Sequence, residues 1–271
     1  MGNAVGWFDR RLNQGSTPRL YGILTVALLC LGAGALGGVV SYLPFSPLFE
    51  VLFVAALLAQ RSLVDHVNDV SQALRLSVSD GRMSVARIVG RDTRALDESG
   101  IARSAIESAA ENLSDGVVAP AFWFLVAGLP GLLIYKIINT ADSMIGYRTP
   151  KYEAFGWAAA RLDDVLNWAP ARLTAFLMIA AAGRFDVIHV LRRDARLHRS
   201  PNAGWPEAAM AGILGIALSG PRSYEGHMRD FAYVHPEGRR SLSARDIDAA
   251  VKVLWRSWAL GLIVIFIAAL L

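Results

Sequence analysis

The sequence predicts an all-α, polytopic integral membrane protein. Three observations carry that expectation: long uncharged apolar runs, a helical hydrophobic period between them, and scarce charge. Only 18% of the 271 residues are charged, where about 25% is usual in soluble chains. The mean hydropathy of +0.38 points the same way. Disorder, collagen-like repeats and a polar nucleic-acid arm are excluded by this composition.

Taken in order, the first uncharged run extends from Leu20 to Phe49, and a second from Val51 to Gln60. Pro44 and Pro47 interrupt them, so spans at 20–40 and 47–60 are expected, joined by a short turn. A cleaved signal peptide is disfavoured, because the lead-in carries Asp9 and another apolar run follows at once. Leu63, Val67, Val70 and Leu74 then recur at helical spacing, with Asp65, His66, Asn68 and Asp69 elsewhere on the surface. Asp97 or Ser99 is placed to cap a helix running to about Leu113. The next apolar segment, 116–139, is broken by Gly128-Leu129-Pro130-Gly131. A broken or re-entrant helix is therefore expected around 116–140, tolerable at membrane depth only where protein or water satisfies the backbone. Further apolar segments lie at 170–183, 207–220 and 251–271; the first two are short for spans and fit buried core helices. No strand alternation or repeat is evident, and 1–271 reads as a single membrane-embedded helical domain.

Charge placement orients the chain. Arg10, Arg11 and Arg19 precede the first span, the turn at 41–47 has no basic residue, and 61–115 carries seven arginines. The amino terminus and 61–115 are expected on the cytoplasmic side, as is 184–256 with its 12 basic residues. Although the formal net charge is +4, no Lys/Arg run exceeds two residues, so no nucleic-acid partner is expected. Cys30 is the one cysteine, which excludes an internal disulfide. The phosphate loop GxxxxGK[ST], HExxH and GxSxG are all absent, and the five histidines have no ligand spacing.

The chemistry signal lies in polar groups beside or within apolar runs, where an ionisable side chain costs about 2.5–3.5 kcal/mol to insert. Gly90-Arg91-Asp92-Thr93 suits a phosphate-binding turn, or merely a loop with a cap at Asp92 or Thr93. Glu107, Glu111 and Asp115 repeat every four residues and would share a helix face. Three stacked carboxylates repel unless a cation or arginine compensates, which favours a Mg²⁺ site over a solvated acidic stripe. Asn139 and Asp142 lie three apart after Lys136, itself readable as snorkelling to headgroups. Asp163, Asp164 and Asn167 stand between Arg161 and Arg172, as a nucleotide site or an internally paired charged helix. Finally, Ser200-Pro201-Asn202-Ala203-Gly204-Trp205 leads into a small-residue helix containing Glu207.

As an ordered set, GRDT (90–93), ESAAENLSDGVVAP (107–120), YKIINTADSMIGY (135–147), FGWAAARLDDVLNWAPAR (155–172) and SPNAGWPEAAMAG (200–212) resemble the CobD/CbiB family of cobalamin biosynthesis. Members usually begin with a further apolar segment carrying Asp-Pro and His-Pro motifs, whose tail Met1 to Trp7 resembles. The resemblance implies an adenosylcobinamide-phosphate synthase: an ATP-dependent ligase joining a carboxylate of the corrinoid adenosylcobyric acid to 1-amino-2-propanol or its O-phosphate. It implies a multi-pass protein of the cytoplasmic membrane with a site reachable from the cytoplasm. Homo-oligomerisation or association with other cobalamin-pathway enzymes stays open. On that reading, Mg²⁺ with ATP falls to Glu107, Glu111, Asp115 and Asp142, with Asp163 and Asp164 as further ligands or the amine's base. Arg91, Lys136 and Arg172 would neutralise phosphate, and Asp92 and Asn202 would join the ATP or substrate contacts. Asn112, Asn139 and Asn167 would orient substrate. A transporter with buried carboxylates or a non-catalytic membrane regulator are the alternatives.

Overall fold

The computed structural model describes residues 1–14, 17–224 and 227–270. Its helices are α1 (Gly2–Leu12), α2 (Pro18–Ser41), α3 (Ser46–Leu57), α4 (Gln60–Leu76), α5 (Val78–Val85), α6 (Glu98–Leu113), α7 (Ala119–Ile145), α8 (Trp157–Leu166), α9 (Trp168–Ala182), α10 (Ile188–Asp194), α11 (Gly204–Leu214) and α12 (Ala244–Leu270). Four helical stretches are long and apolar enough to cross a membrane: Pro18–Ser41, Ser46–Leu76, Glu98–Ile145 and Ala244–Leu270. The pair α8 and α9, bent by 43°, makes a fifth if counted as one span. The all-α, multi-pass expectation holds. Short strands, not foreseen from the sequence, also occur: β1 (Leu218–Ser219), β2 (Arg222–Tyr224), β3 (His227–Arg229) and β4 (Tyr233–Val234). They pair antiparallel as β1 with β4 and β2 with β3. Two or three residues are too few for a visible alternation, which is why the pattern escapes sequence inspection.

Packing divides the chain into two compact units, 1–58 with 115–170, and 59–114 with 171–271. In the first, α2 is apolar all round and exposes Leu20, Ile23, Leu24, Leu28 and Leu31, as a lipid-facing helix does. Its other side is made by small residues. A Cβ on Gly22 would sit 2.0 Å from the Phe155 carbonyl oxygen, and one on Gly37 would sit 2.6 Å from Pro130 Cα. Backbone thus meets backbone, as expected where packing rather than water drives helix association. Val26, Leu29, Ile137, Ile138, Ala141 and Phe155 fill the space beside these contacts.

The expected interruption of α7 falls at Ala127 and Gly128, where the dihedral angles leave the helical region. Gly128 has φ 60° and ψ −155°, a combination open to glycine alone. Pro130 adds a missing backbone donor just after it. Immediately before α7, residues 114–118 form a π-helical turn. The α-helical period therefore ends before Asp115, and the expected single stripe of Glu107, Glu111 and Asp115 is corrected to two carboxylates on α6.

In the second unit, α4 buries Gln60, Val64, Val67, Val70, Ser71 and Leu74. The face is that read from the sequence, except that Val64 rather than Leu63 is fully covered. Asp97 caps α6, its Oδ1 accepting the Gly100 N–H at 2.7 Å. Alanines and serines let α6 bury nearly its whole circumference. The first half of α12 buries Ile247, Ala250, Val251 and Leu254, and Ser71 Oγ donates to Asp248 at 2.6 Å. Of the short apolar segments, 207–220 is corrected: α11 ends at Leu214 with Gly215 left-handed (φ 64°), and β1 follows.

Replacing Gly22 by alanine drives a methyl into the Phe155 carbonyl, and overpacking of this kind costs about 1–3 kcal/mol. The variant is expected to unfold in detergent at a lower temperature than an alanine variant of Gly32, whose Cβ would meet nothing within 4 Å.

Candidate functional site

Each unit carries a polar cluster. In the second unit it centres on Glu107, 1% exposed in the middle of α6. An ionised carboxylate at that depth must be compensated. Its Oε1 accepts the Ser219 backbone N–H at 2.6 Å. Its Oε2 accepts from Arg91 Nη2 at 2.7 Å, and Arg222 Nη2 lies 3.2 Å away. Two arginines thus answer the charge of Glu107.

Local structure explains how these groups converge. Arg91 sits in the turn before α6, and that turn is docked on β2: the Asp92 N–H donates to the Ser223 carbonyl at 3.2 Å, and Ser223 Oγ donates to Asp92 Oδ2 at 2.8 Å. Asp92 is therefore a docking group, and the helix cap falls at Asp97 instead of Asp92 or Thr93. Arg222 comes from β2 itself. Ser219 holds φ 61° without being glycine, a strain of order 1–3 kcal/mol, and in that conformation its N–H points at Glu107.

Two further residues complete the cluster. Glu207 on α11 is 1% exposed. Its Oε1 lies 3.5 Å from His198 Nε2 and its Oε2 4.0 Å from Arg222 Nη2. Burial, reinforced by the neighbouring Glu107, holds the Glu207 carboxyl well above the usual carboxylate range. Burial first, then the charge of Arg222, pushes His198 down to about 4. The neutral ring accepts the Ser200 N–H on Nδ1 at 3.1 Å, which assigns its proton to Nε2, facing Glu207. Glu111, one turn beyond Glu107, is exposed, as is Asn112, whose amide folds back to the Ser108 carbonyl at 2.9 Å. Arg172 stacks over Trp205 at 4.5 Å and donates to Asn202 Oδ1 at 3.3 Å.

The first unit holds the other cluster. Asp163 accepts from Asn139 Nδ2 at 3.2 Å on one oxygen and from Asn167 Nδ2 at 3.0 Å on the other. Buried Tyr135 reaches Asn167 Oδ1 at 3.0 Å and the Asp115 carbonyl at 2.9 Å. Lys136 is half-buried one residue on. Asp142 folds over Gly146, where a Cβ would sit 2.0 Å from its Oδ1. Asp164 is turned toward Arg161 at 3.8 Å.

The sequence-selected residues thus gather in part: Asn139, Asp163 and Asn167 in one unit, and Arg91 with Glu107, and Arg172 with Asn202, in the other. Arg222, Glu207, His198, Ser219 and Tyr135 were not singled out as site residues. Glu207 carried a signal, a charge in an otherwise apolar helix; the others acquire meaning only from distant partners. Among the described residues, no three or more His, Cys, Asp or Glu side chains gather to hold a metal ion. Mg²⁺ carried in with phosphates needs only one or two carboxylates, and Glu111 has the exposure such a ligand requires.

A family model described as CobD/Cbib protein matches residues 1–254. The chain belongs to the CobD/CbiB family. Proteins named cobalamin biosynthesis protein CobD include one from Brucella suis biovar 1, 50% identical over 97% of this chain and 86% of its own length. Another, from Sinorhizobium fredii, is 52% identical over 94% and 83%, and one from Rhodobacter capsulatus is 48% identical over 83% and 76%. No solved structure matches the chain. Within a CobD/CbiB protein, most residues of both polar clusters fall on the motifs quoted from the sequence, with His198, Ser219 and Arg222 as additions outside them.

Breaking a buried ion pair by truncating one partner costs about 3–5 kcal/mol. Arg91→Met is expected to lower the unfolding temperature in detergent well below that of Arg61→Met, whose pair with Asp65 is exposed. His198 gives a pH signature. Its folded pKa lies near 4, below the ordinary histidine value of 6.5, so the unfolded state binds more protons between those values. Its contribution to stability is complete above about pH 6.5 and is lost as pH falls toward 4. Unfolding temperatures measured across that window should fall less steeply for His198→Gln than for the parent.

Proposed function

We propose that the chain is an ATP-dependent amide ligase of cobalamin biosynthesis, joining adenosylcobyric acid to 1-amino-2-propanol or its O-phosphate. The observation that carries this reading is the buried Arg91, Glu107 and Arg222 cluster in a member of the CobD/CbiB family. Carboxylates do not react with amines directly, because the departing oxygen is a poor leaving group. Transfer of the ATP γ-phosphate to the carboxylate gives an acyl phosphate, whose leaving group is phosphate. That transfer is mainly positioning and charge neutralisation.

Glu107 fits a holding role: it aligns two guanidiniums, the kind of group that recognises phosphate or carboxylate oxygens. Glu111 would hold Mg²⁺ together with phosphate oxygens, and when bound the ion would neutralise charge built up there. Arg172, fixed between Trp205 and Asn202, offers a further positive group. In the other unit Asp163 is fixed by two amides, which suits an acceptor that orients substrate donors. Asp142, Asp164, Asp115, Lys136 and Asn112 remain candidate substrate or metal contacts. A site facing the cytoplasm agrees with the supply of ATP there.

The test is mass spectrometry of the product formed by purified protein with adenosylcobyric acid, Mg²⁺-ATP and either amine. An amide product that disappears on chelation of Mg²⁺ is expected; corrinoid returned unchanged under all conditions overturns the reading. Glu111→Gln should raise the Mg²⁺ concentration needed for half-maximal rate by about tenfold or more, the equivalent of roughly 1.4 kcal/mol. An unchanged Mg²⁺ dependence removes its metal role.

A further inference from the structure

Glu207 is a buried carboxyl on a helix of small apolar residues, facing His198 on one oxygen and Arg222 at longer range on the other. It sits in α11 among Ala208, Ala209, Met210 and Ala211, all buried. One of its oxygens is oriented: Oε1 faces the Nε2 proton of His198, whose ring is in turn pinned by the Ser200 N–H. The other oxygen, Oε2, is buried with no hydrogen-bond partner among the described residues. An orphaned carboxyl oxygen in a core ordinarily costs free energy, and it persists here beside an arginine already engaged by Glu107 and Ser219 Oγ. Glu111, one turn beyond Glu107 and exposed on α6, acts electrostatically on Glu207.

We propose that Glu207 is the amine site of the ligase, its Oε2 receiving the ammonium nitrogen of the aminopropanol substrate and taking its proton, with His198 as the positioning residue behind it. The inference rests on the ligase reading and deepens it. Aminopropanol reaches the protein as an ammonium ion, which has no lone pair for attack. On binding, it displaces the resting carboxyl proton to solvent and faces a carboxylate. One N–H bond breaks, its proton moves to Oε2, and the nitrogen keeps the electron pair. That pair forms the C–N bond at the acyl carbon as the C–O bond to phosphate breaks. Phosphate leaves with the electrons of that bond and accepts the second nitrogen proton. A carboxyl held above its usual range makes the first transfer closer to even in free energy, and general-base help of this kind is worth about 10²–10⁴ in rate.

The experiment compares the full-length parent with Glu207→Gln, an isosteric change that keeps an acceptor toward His198 but cannot take a proton. Amide formation is measured with 1-amino-2-propanol as a function of its concentration and of pH. In parallel, hydroxylamine, whose nitrogen is already neutral near pH 7, is supplied in place of the amine and hydroxamate is measured. The expected result is a loss of about 100-fold or more with aminopropanol, partly recovered as pH rises, with hydroxamate formation retained. Equal amide rates in both proteins overturn the amine-site assignment and leave the ligase reading standing. Loss of both products in the variant also overturns it, because the defect then precedes amine attack or lies in the fold. If the parent makes no amide or hydroxamate, the ligase reading fails and the assignment with it.

Discussion

A negative charge at the centre of a tightly packed helix governs the second unit. Glu107 has small residues around it, and Arg103, one turn earlier on α6, is committed to the Ala217 and Arg240 carbonyls. Compensation has to be brought in: by Arg91 from the turn before α6, by Arg222 from β2, and by the Ser219 amide from a strained left-handed residue. Each demand shapes a piece of chain. The turn at 90–93 is docked on β2 through Asp92, and the residues after α11 leave the helix at Gly215 and enter β1. Of the short strands, β1 delivers a backbone donor and β2 an arginine to one carboxylate.

Two carboxyls in that cluster have opposite fates. Glu107 is ringed by positive charge and serves as a fixed anchor. Glu207 shares one of those arginines at longer range and is kept from ionising by burial and by Glu107 itself. Environments that separate two neighbouring acids in this way mark functional sites more often than structural ones. Here the separation gives one group that holds cations in place and another suited to exchanging a proton.

Local rules made much of the fold readable from the sequence. The spacing of Val67, Val70 and Leu74, the cap at Asp97 and the break at Gly128 are short-range features, and each survives in the structure. So does the lipid-facing character of α2, which follows from composition alone. The site was readable by half. Glu107, Arg91, Asn139, Asp163 and Asn167 stand out because polar groups beside apolar runs are costly. Arg222 is separated from Glu107 by more than a hundred positions, and no local pattern links them. Tyr135 ends an apolar run, and only its hydroxyl bond to Asn167 sets it apart. The π-helical turn at 114–118 also lay beyond a reading that assumed one unbroken helical period.

The glycine contacts of α2 carry a consequence for how this helix can change over time. Gly22 and Gly37 touch main-chain atoms, so the closeness of the packing is set by the absence of side chains and not by their shape. Around them, Leu20, Ile23, Leu24, Leu28 and Leu31 face outward and need only be apolar. One helix therefore combines positions free to drift among aliphatic residues with positions that admit a single residue. Sequence divergence along α2 would then follow its circumference, wide on the lipid side and nearly frozen where backbone meets backbone.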